Sequence, residues 1–459
     1  MSGEPVPGSF RDPSGVVFTR EGTLYRQVNQ GYAPDFDRLL ASGLYEDLIG
    51  RGLLVAHEEV DPALALTPDA YRVIRPERIP FISYPYEWCF GQLKAAALAT
   101  LRLHSLALDH GMVLKDASAY NLQFVGARPV LVDTLSFARY QPGEPWVAYR
   151  QFCQHFLAPL ALMRHRHVDL ARLLRACIDG IPLDLASRLL PRRTRLGVGL
   201  GVHIHLHASM QRRHARRAAA PSRGRGMGLQ AMRALIASLE AAVRRLTWRA
   251  GGTEWADYYQ ETNYSDEARQ HKEALVADFL AICRPQMVWD LGANTGLYSR
   301  VASRQGAYTV AMDVDPAAVE LNYREAAREK DSGLLPLVMD LTNPSPALGW
   351  SHTERMSLLE RGPADAALML ALVHHLAIGN NVPLPMVAAF AARCCRNLIV
   401  EFVPKEDSQV QRLLASRVDI FPDYHREGFE RAFAGAFETT DCRQIKGSER
   451  TLYLMRARG

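Results

Sequence analysis

Val288-Trp289-Asp290-Leu291-Gly292-Ala293-Asn294-Thr295-Gly296 carries an apolar run into a carboxylate and then directly into a glycine-bearing loop. Glycine is needed where φ turns positive or where backbone must lie against a ligand, and Asn tolerates the left-handed region better than most side chains. The pattern predicts a helix from about Leu297, whose first N–H groups have no intrahelical partner. Strand, loop and helix in this order build the ligand crevice of an open α/β sheet.

Working outward, the rhythm repeats. A helix over 297–305 leads to a strand over 308–312, closed by Asp313-Val314-Asp315-Pro316. An acid at the end of the second strand, about 20 residues past the glycines, can bind both ribose hydroxyls. Pro316 suits the first turn of another helix. A strand over 334–339 ends at Asp340-Leu341, where a carboxylate can accept from an adenine amino group and Leu341 can cover the ring. A strand over 365–370 runs into Ala371-Leu372-Val373-His374-His375, and one over 397–400 ends at Glu401-Phe402. Apolar runs alternating with helical patterns over 252–459 are the signature of a doubly wound sheet.

Residues 250–459 thus resemble the class I S-adenosylmethionine-dependent methyltransferases. The resemblance implies a Rossmann-like α/β domain with a mixed seven-stranded sheet and S-adenosylmethionine as methyl donor. It sets Asp290 at the loop entrance, with Gly292, Ala293, Asn294 and Gly296 approaching the methionine moiety. Asp313 and Val314 fall at the ribose, and Asp340 and Leu341 at the adenine. Asn294 stands where the family commonly has glycine. His374 and His375 fall where the family lines its acceptor pocket, and either can serve as the base that a hydroxyl acceptor needs; Glu401 is a further candidate. The bland alternatives are strand-end carboxylates that cap the next helix, and one packed histidine beside one exposed. A nicotinamide-dependent dehydrogenase would carry G-x-G-x-x-G, whereas only Gly292 and Gly296 are present. With no Asn/Asp-Pro-Pro-Tyr and no Pro-Cys after the fourth strand, an oxygen or carbon acceptor is favoured over amide or nucleobase amino nitrogen.

The N-terminal half reads differently. Residues 1–90 suggest a small strand-rich lobe, with a hairpin about Glu21-Gly22, a helical patch over 36–51 and strands over 70–74 and 79–83. Residues 91–247 read as mostly helical, over 92–108, 146–163 and 168–190. Within them stands Gly111-Met112-Val113-Leu114-Lys115-Asp116-Ala117-Ser118-Ala119-Tyr120-Asn121, followed by a turn at Gly126 and then Asp133. Phosphotransferase loops place a base Asp five residues before a metal-binding Asn, with a second metal-binding Asp after a hairpin. The region resembles a divergent protein-kinase or aminoglycoside-phosphotransferase fold. That implies Asp116 as base, Asn121 and Asp133 as metal ligands, and Mg-ATP as co-substrate of a two-enzyme fusion. Leu114-Lys115 replaces the usual His-Arg and Thr134-Leu135 the usual Phe-Gly, and Arg26 is the sole stand-in for the strand lysine. Loop capping by Asp116, Asn121 and Asp133 is the alternative.

Composition bounds the rest. The chain has 459 residues, 48% of them hydrophobic and 22% charged, which suits two or three globular domains. The polar start carries no secretory h-region, and no apolar run approaches the ~20 residues of a membrane span. Seven scattered cysteines without a C-x-x-C pair suit a reducing, cytoplasmic compartment. Ala- and Arg-rich usage suits a GC-rich bacterial genome. Of the net charge of +5, residues 191–250 contribute thirteen arginines against the single acid Glu240. Arg212, Arg213, Arg216, Arg217, Arg223 and Arg225 can meet an anionic partner such as nucleic acid, or form a solvated connector beside Ala218-Ala219-Ala220-Pro221-Ser222. His203, His205 and His207 would line up as a metal site on a strand, and otherwise be ordinary packed histidines. Trp255, Tyr258, Tyr259 and Tyr264 can lid the cofactor or join a core.

Overall fold

The computed structural model describes residues 3–210, 226–251, 266–415 and 417–458. Arg212, Arg213, Arg216, Arg217, Arg223, Arg225, Trp255, Tyr258, Tyr259 and Tyr264 lie outside them. The chain divides into two compact units. One comprises Met1–Phe124, Arg128–Arg249 and Gly349–Arg355; the other comprises Val125–Ala127, Ala250–Leu348 and Met356–Gly459.

The N-terminal unit begins with β1 (Glu4–Pro5), β2 (Gly15–Arg20), β3 (Thr23–Asn29), β4 (His57–Val60) and β5 (Ala70–Pro76), paired antiparallel in the order β1-β2-β3-β5-β4. Glu21 and Gly22 turn the β2–β3 hairpin with φ of 52° and 76°, the doubly left-handed turn that matches strand twist. Val28, Tyr32, Phe36, Ile74 and Leu135 form one of its hydrophobic clusters. The helical patch expected over 36–51 is two helices, Ala33–Ala41 and Leu44–Gly50, because Gly43 at φ 76° reverses the chain between them. The strand expected over 79–83 is irregular: Pro80 has no N–H to give a ladder, and Ser83 N donates to the Gln123 side chain at 2.8 Å.

The helix Phe90–Asp109 follows, then β6 (Met112–Leu114), β7 (Leu122–Val125), β8 (Arg128–Leu131) and β9 (Phe137–Arg139). β6 pairs with β9 and β7 with β8. The helix expected over 168–190 is broken into Val168–Arg172, Leu173–Ala176 and Leu183–Leu189, where Gly180 (φ 89°) and Pro182 interrupt it.

The C-terminal unit opens with the helix Asp266–Cys283 and alternates strand with helix through β10 (Met287–Leu291), β11 (Tyr308–Asp313), β12 (Leu334–Val338), β13 (Ala364–Met369) and β14 (Cys395–Phe402). It closes with β15 (Phe437–Gln444) and β16 (Thr451–Ala457). The order is β12-β11-β10-β13-β14-β16-β15, and β16 alone runs against its neighbours. This is a mixed, Rossmann-like seven-stranded sheet. Its parallel strands are covered on both faces, so they read as near-continuous apolar runs. On one face Val276, Phe279 and Leu280 of the first helix meet Val288, Leu368, Ile399 and Leu454. The strand order reverses direction at the β10–β13 neighbours, which opens a crevice at their carboxyl ends.

Candidate active site

The loop after β10 is held in a shape few sequences allow. Gly292, Asn294 and Gly296 have φ of 81°, 51° and 80°. Gly292 N and Ala293 N both donate to Met312 O at 2.9 Å, which ties the loop to the end of β11. Asn294 N donates to Asp313 Oδ2 at 2.8 Å, and Asn294 Oδ1 accepts from Thr295 N at 2.7 Å. That local bond makes Asn acceptable in the left-handed region. A Cβ on Gly296 would stand 2.3 Å from Asn322 Oδ1.

A cavity of ≈ 450 Å³ opens beside this loop, a size ordinary for a small-molecule site. Asp290, Gly292, Ala293, Asn294, Asp313, Val314, Asp340 and Leu341 all line it; Gly296, expected with them, does not. Burial pushes Asp290 up to about 7, against the pull of the Ser299 hydroxyl that donates to it at 2.6 Å. Burial likewise pushes Asp313 up to about 6, opposed by donation from Asp315 N and Asn294 N. Asp340 Oδ1 accepts from Thr342 N and Oγ1 at 2.9 and 2.6 Å, which fixes its carboxylate at the rim.

The two histidines after β13 part company. His375 lines the cavity, whereas His374 is fully buried with neither ring nitrogen partnered among the described residues. Their ring centroids are 4.1 Å apart. Burial, with Arg450 adding to it, lowers His375 to about 4, and burial takes His374 well below its usual range. Both imidazoles are therefore neutral near pH 7.

Glu401, a candidate base in the sequence, does not line the cavity. Its Oε2 accepts from Lys272 Nζ at 2.6 Å, and Arg450 Nη1 lies 3.5 Å from Oε1. Arg450 in turn grips Asp407 at 2.7 and 3.1 Å. Lys272 is held below the usual lysine range by burial, with Glu401 opposing. A carboxylate held between two buried cations is structural, which corrects its assignment as a base.

In the N-terminal unit Asp116, Asn121 and Asp133 do converge, and Asp133 is held by a cation supplied by the chain. Arg26 Nη1 lies 2.5 Å from Asp133 Oδ1, and Arg26 Nη2 lies 3.2 Å from Asp12 Oδ2. Asp133 Oδ2 accepts from Ser136 Oγ at 2.6 Å and from Asn121 Nδ2 at 3.5 Å. Asp116 accepts from Ser118 N at 2.8 Å and is raised, chiefly by burial. Lys115 Nζ donates to Ser14 Oγ at 2.9 Å and sits over the Tyr32 ring.

His203, His205 and His207 lie on a helix, not on the strand that would put three imidazoles on one face. Residues 198–210 are helical, and His203 bonds Tyr149 Oη and Ser238 Oγ at 2.8 and 2.9 Å. His205 instead bonds Ser187 Oγ and Thr194 Oγ1, both at 2.8 Å. Among the described residues no group of three His, Cys, Asp or Glu is arranged to hold a metal, and no helix is long and apolar enough to cross a membrane.

No family model matches the sequence. Nodulation protein NoeA of Rhizobium meliloti (strain 1021) is 38% identical over 455 residues, which covers 98% of this chain and 95% of that protein. The chain belongs to the NoeA family. Among solved structures it is similar to N-methyltransferase NodS from Bradyrhizobium japonicum WM9 (10% identity, 42% of this chain and 99% of that one, TM-score 0.32). It is also similar to magnesium protoporphyrin IX methyltransferase ChlM from Synechocystis PCC 6803 (17%, 45% and 93%, TM-score 0.32). A third likeness is to the bifunctional kinase-methyltransferase WbdD (16%, 45% and 42%, TM-score 0.32).

Among the cavity residues of this NoeA-family chain that its sequence does not announce are Arg269, Lys272 and Tyr298. Lys272 left a trace. It continues the buried stripe Ala268, Leu275, Val276 and Phe279 of the first helix, where a lysine is out of place unless it is paired.

Proposed function

We propose that this NoeA-family chain is an S-adenosylmethionine-dependent methyltransferase whose catalytic unit is the C-terminal one. The observation that carries the reading is one cavity lined by the loop through Gly292 and Asn294 and by the strand-end carboxylates Asp313 and Asp340. The residues fit the cofactor. Backbone at Gly292 to Asn294 can lie against the methionine portion, Asp313 can accept from ribose hydroxyls, and Asp340 with Leu341 suits an amino-bearing ring. Bound S-adenosylmethionine supplies an electrophilic methyl group on a sulfonium. The protein contributes orientation, since in-line approach of the acceptor governs such a transfer.

We favour an oxygen or carbon nucleophile as acceptor, supported by Leu372-Val373-His374-His375 after β13 where an amide-methylating loop would differ. His375 is the residue able to take a proton there, as a neutral imidazole on the cavity wall. The relative's name ties that protein to nodulation and names no acceptor. Seven free thiols support a reducing, cytoplasmic setting. Calorimetric titration of the full chain with S-adenosylmethionine, beside NAD, is the direct test, followed by an acceptor screen with radiolabelled donor and Asp290→Ala as blank. Heat with NAD alone would replace methyl transfer by hydride transfer.

For the N-terminal unit we infer a kinase-like layout without Mg-ATP chemistry. The five-stranded sheet ahead of a long helix and the Asp116–Asn121–Asp133 grouping support the layout. The Arg26–Asp133 pair argues against a metal there, since the guanidinium already supplies the counter-charge. Magnesium-dependent ATP binding by the full chain, lost in Asp133→Ala, would reinstate the two-enzyme reading.

A further inference from the structure

The helix over residues 198–210 has a buried side and a bare one. His203, Ile204, His205 and Ala208 face the interior of the N-terminal unit. On the other side Val198, Val202, Leu206 and Met210 are 74%, 45%, 54% and 49% exposed, and Leu196 just before them is 89% exposed. The middle of the helix is π-helical (Gly201–Leu206), and residues four apart stay close to one line along it. Scattered apolar side chains on a surface need no explanation, but a continuous row does.

The row is bordered by positive charge. Arg192, Arg193 and Arg195 are exposed on the turn that feeds the helix. Arg193 adds to the lowering of His165, behind burial and Arg164, and Arg195 to that of His205, behind burial. The sequence over 191–250 holds one acid among its arginines. A single-stranded nucleic acid would want aromatic platforms beside the arginines, and residues 191–210 contain no Phe, Tyr or Trp. Aliphatic side chains flanked by arginine match the boundary between lipid headgroups and acyl chains.

We propose that the 192–210 face of the N-terminal unit docks reversibly on an anionic lipid bilayer, with Val198, Val202, Leu206 and Met210 entering the acyl boundary and Arg192, Arg193 and Arg195 meeting lipid phosphates. The helix lies on the surface and does not span it. The docking is independent of the methyl-transfer reading.

The test is co-sedimentation of the full chain with vesicles of phosphatidylcholine alone and of phosphatidylcholine mixed with phosphatidylglycerol. Binding is expected on the mixed vesicles, weakening as salt is raised. Arg193→Gln with Arg195→Gln should lower the partition roughly 30-fold, at the usual strength of a basic residue near such a surface. Val202→Asp with Leu206→Asp should abolish it while circular dichroism and the melting temperature stay unchanged, because both side chains face solvent. No binding to mixed vesicles, or equal binding by the Asp variant, overturns the proposal. So does salt-sensitive retention of an oligonucleotide in its place, or a dimer in sedimentation velocity that the Asp variant dissolves.

Discussion

Lys272 Nζ lies 2.6 Å from Glu401 Oε2, with both side chains closed to solvent. The pair joins the helix ahead of the sheet to the end of β14. Removing one partner strands the other as a buried charge, which typically costs about 3–5 kcal/mol. Glu401→Gln and Lys272→Met should each lower the urea stability of the C-terminal unit by that order. The double variant should lose less than the sum, because Arg450 still has Asp407. Additive losses, or single losses below about 1 kcal/mol, would mean the ion pair is dispensable.

Gly292 and Gly296 share a left-handed backbone but differ in surroundings. A Cβ on Gly296 meets Asn322 Oδ1 at 2.3 Å, whereas one on Gly292 meets the flexible Leu372 Cδ1 at 3.1 Å. Positive φ alone costs a non-glycine residue about 1–3 kcal/mol. Gly296→Ala should therefore lower the melting temperature more than Gly292→Ala. Gly292→Ala, whose neighbour Leu372 is on the cavity wall, should weaken S-adenosylmethionine binding beyond its effect on stability. Calorimetry and thermal melts on the same two proteins decide it; the reverse ranking would contradict the loop geometry.

The C-terminal sheet was legible because its signals are local. Five buried parallel strands read as apolar runs, and each ended in an acid, a loop glycine or a histidine that could be placed by counting along the chain. The histidine trio was open between a strand and a helix because alternation alone does not decide, and the partners of His203 and His205, Tyr149, Ser187 and Ser238, are distant in sequence. Glu401 misled for the same reason: at a strand end it looks available, and its cations come from the 272 and 450 regions. Arg26 stands by position for the strand lysine, but its pairing with Asp133 depends on tertiary packing that no spacing encodes.

Asp290 and Asp313 set opposite pH trends for stability and for binding. Burial raises them to about 7 and about 6 in the folded chain, against about 3.9 for an unperturbed Asp. Between pH 4 and 7 the unfolded chain has released protons that the folded chain keeps, so stability falls as pH rises through that window and levels off above it. A charged Asp313 is the better acceptor for hydroxyls, so S-adenosylmethionine affinity should climb from pH 5 to 7 as stability declines. Urea midpoints across pH 4–8 should flatten in Asp290→Asn. A wild-type profile that rises across the window would refute the assignment.

Arg26 and Asp133 offer a test in the N-terminal unit. Both are largely shielded, and Arg26 also reaches Asp12. Arg26→Met should cost about 1–3 kcal/mol by leaving Asp133 without its cation. Mg-ATP should leave the melting temperature of the wild-type chain unmoved. A stabilising shift of several degrees with Mg-ATP would show that the guanidinium yields to a metal.

His374 and His375, adjacent in sequence and touching in space, should respond to substitution in opposite ways. His374 holds two buried ring nitrogens with no partner among the described residues, and an unsatisfied buried polar group costs about 1–3 kcal/mol. His374→Leu, similar in bulk and without polar atoms, should be neutral or stabilising in urea melts. His375 faces the cavity, and if it takes the acceptor proton its removal should lower kcat by about 10²–10⁴. Because burial holds His375 near 4, the pH profile of kcat/KM should show no histidine inflection above about pH 5. Single-turnover rates for His375→Ala and His375→Gln, read beside the melts, separate the roles. A His375→Ala enzyme with wild-type rate would return the base to another group, and a His374→Leu protein that loses more than about 2 kcal/mol would mean that its nitrogens are satisfied after all.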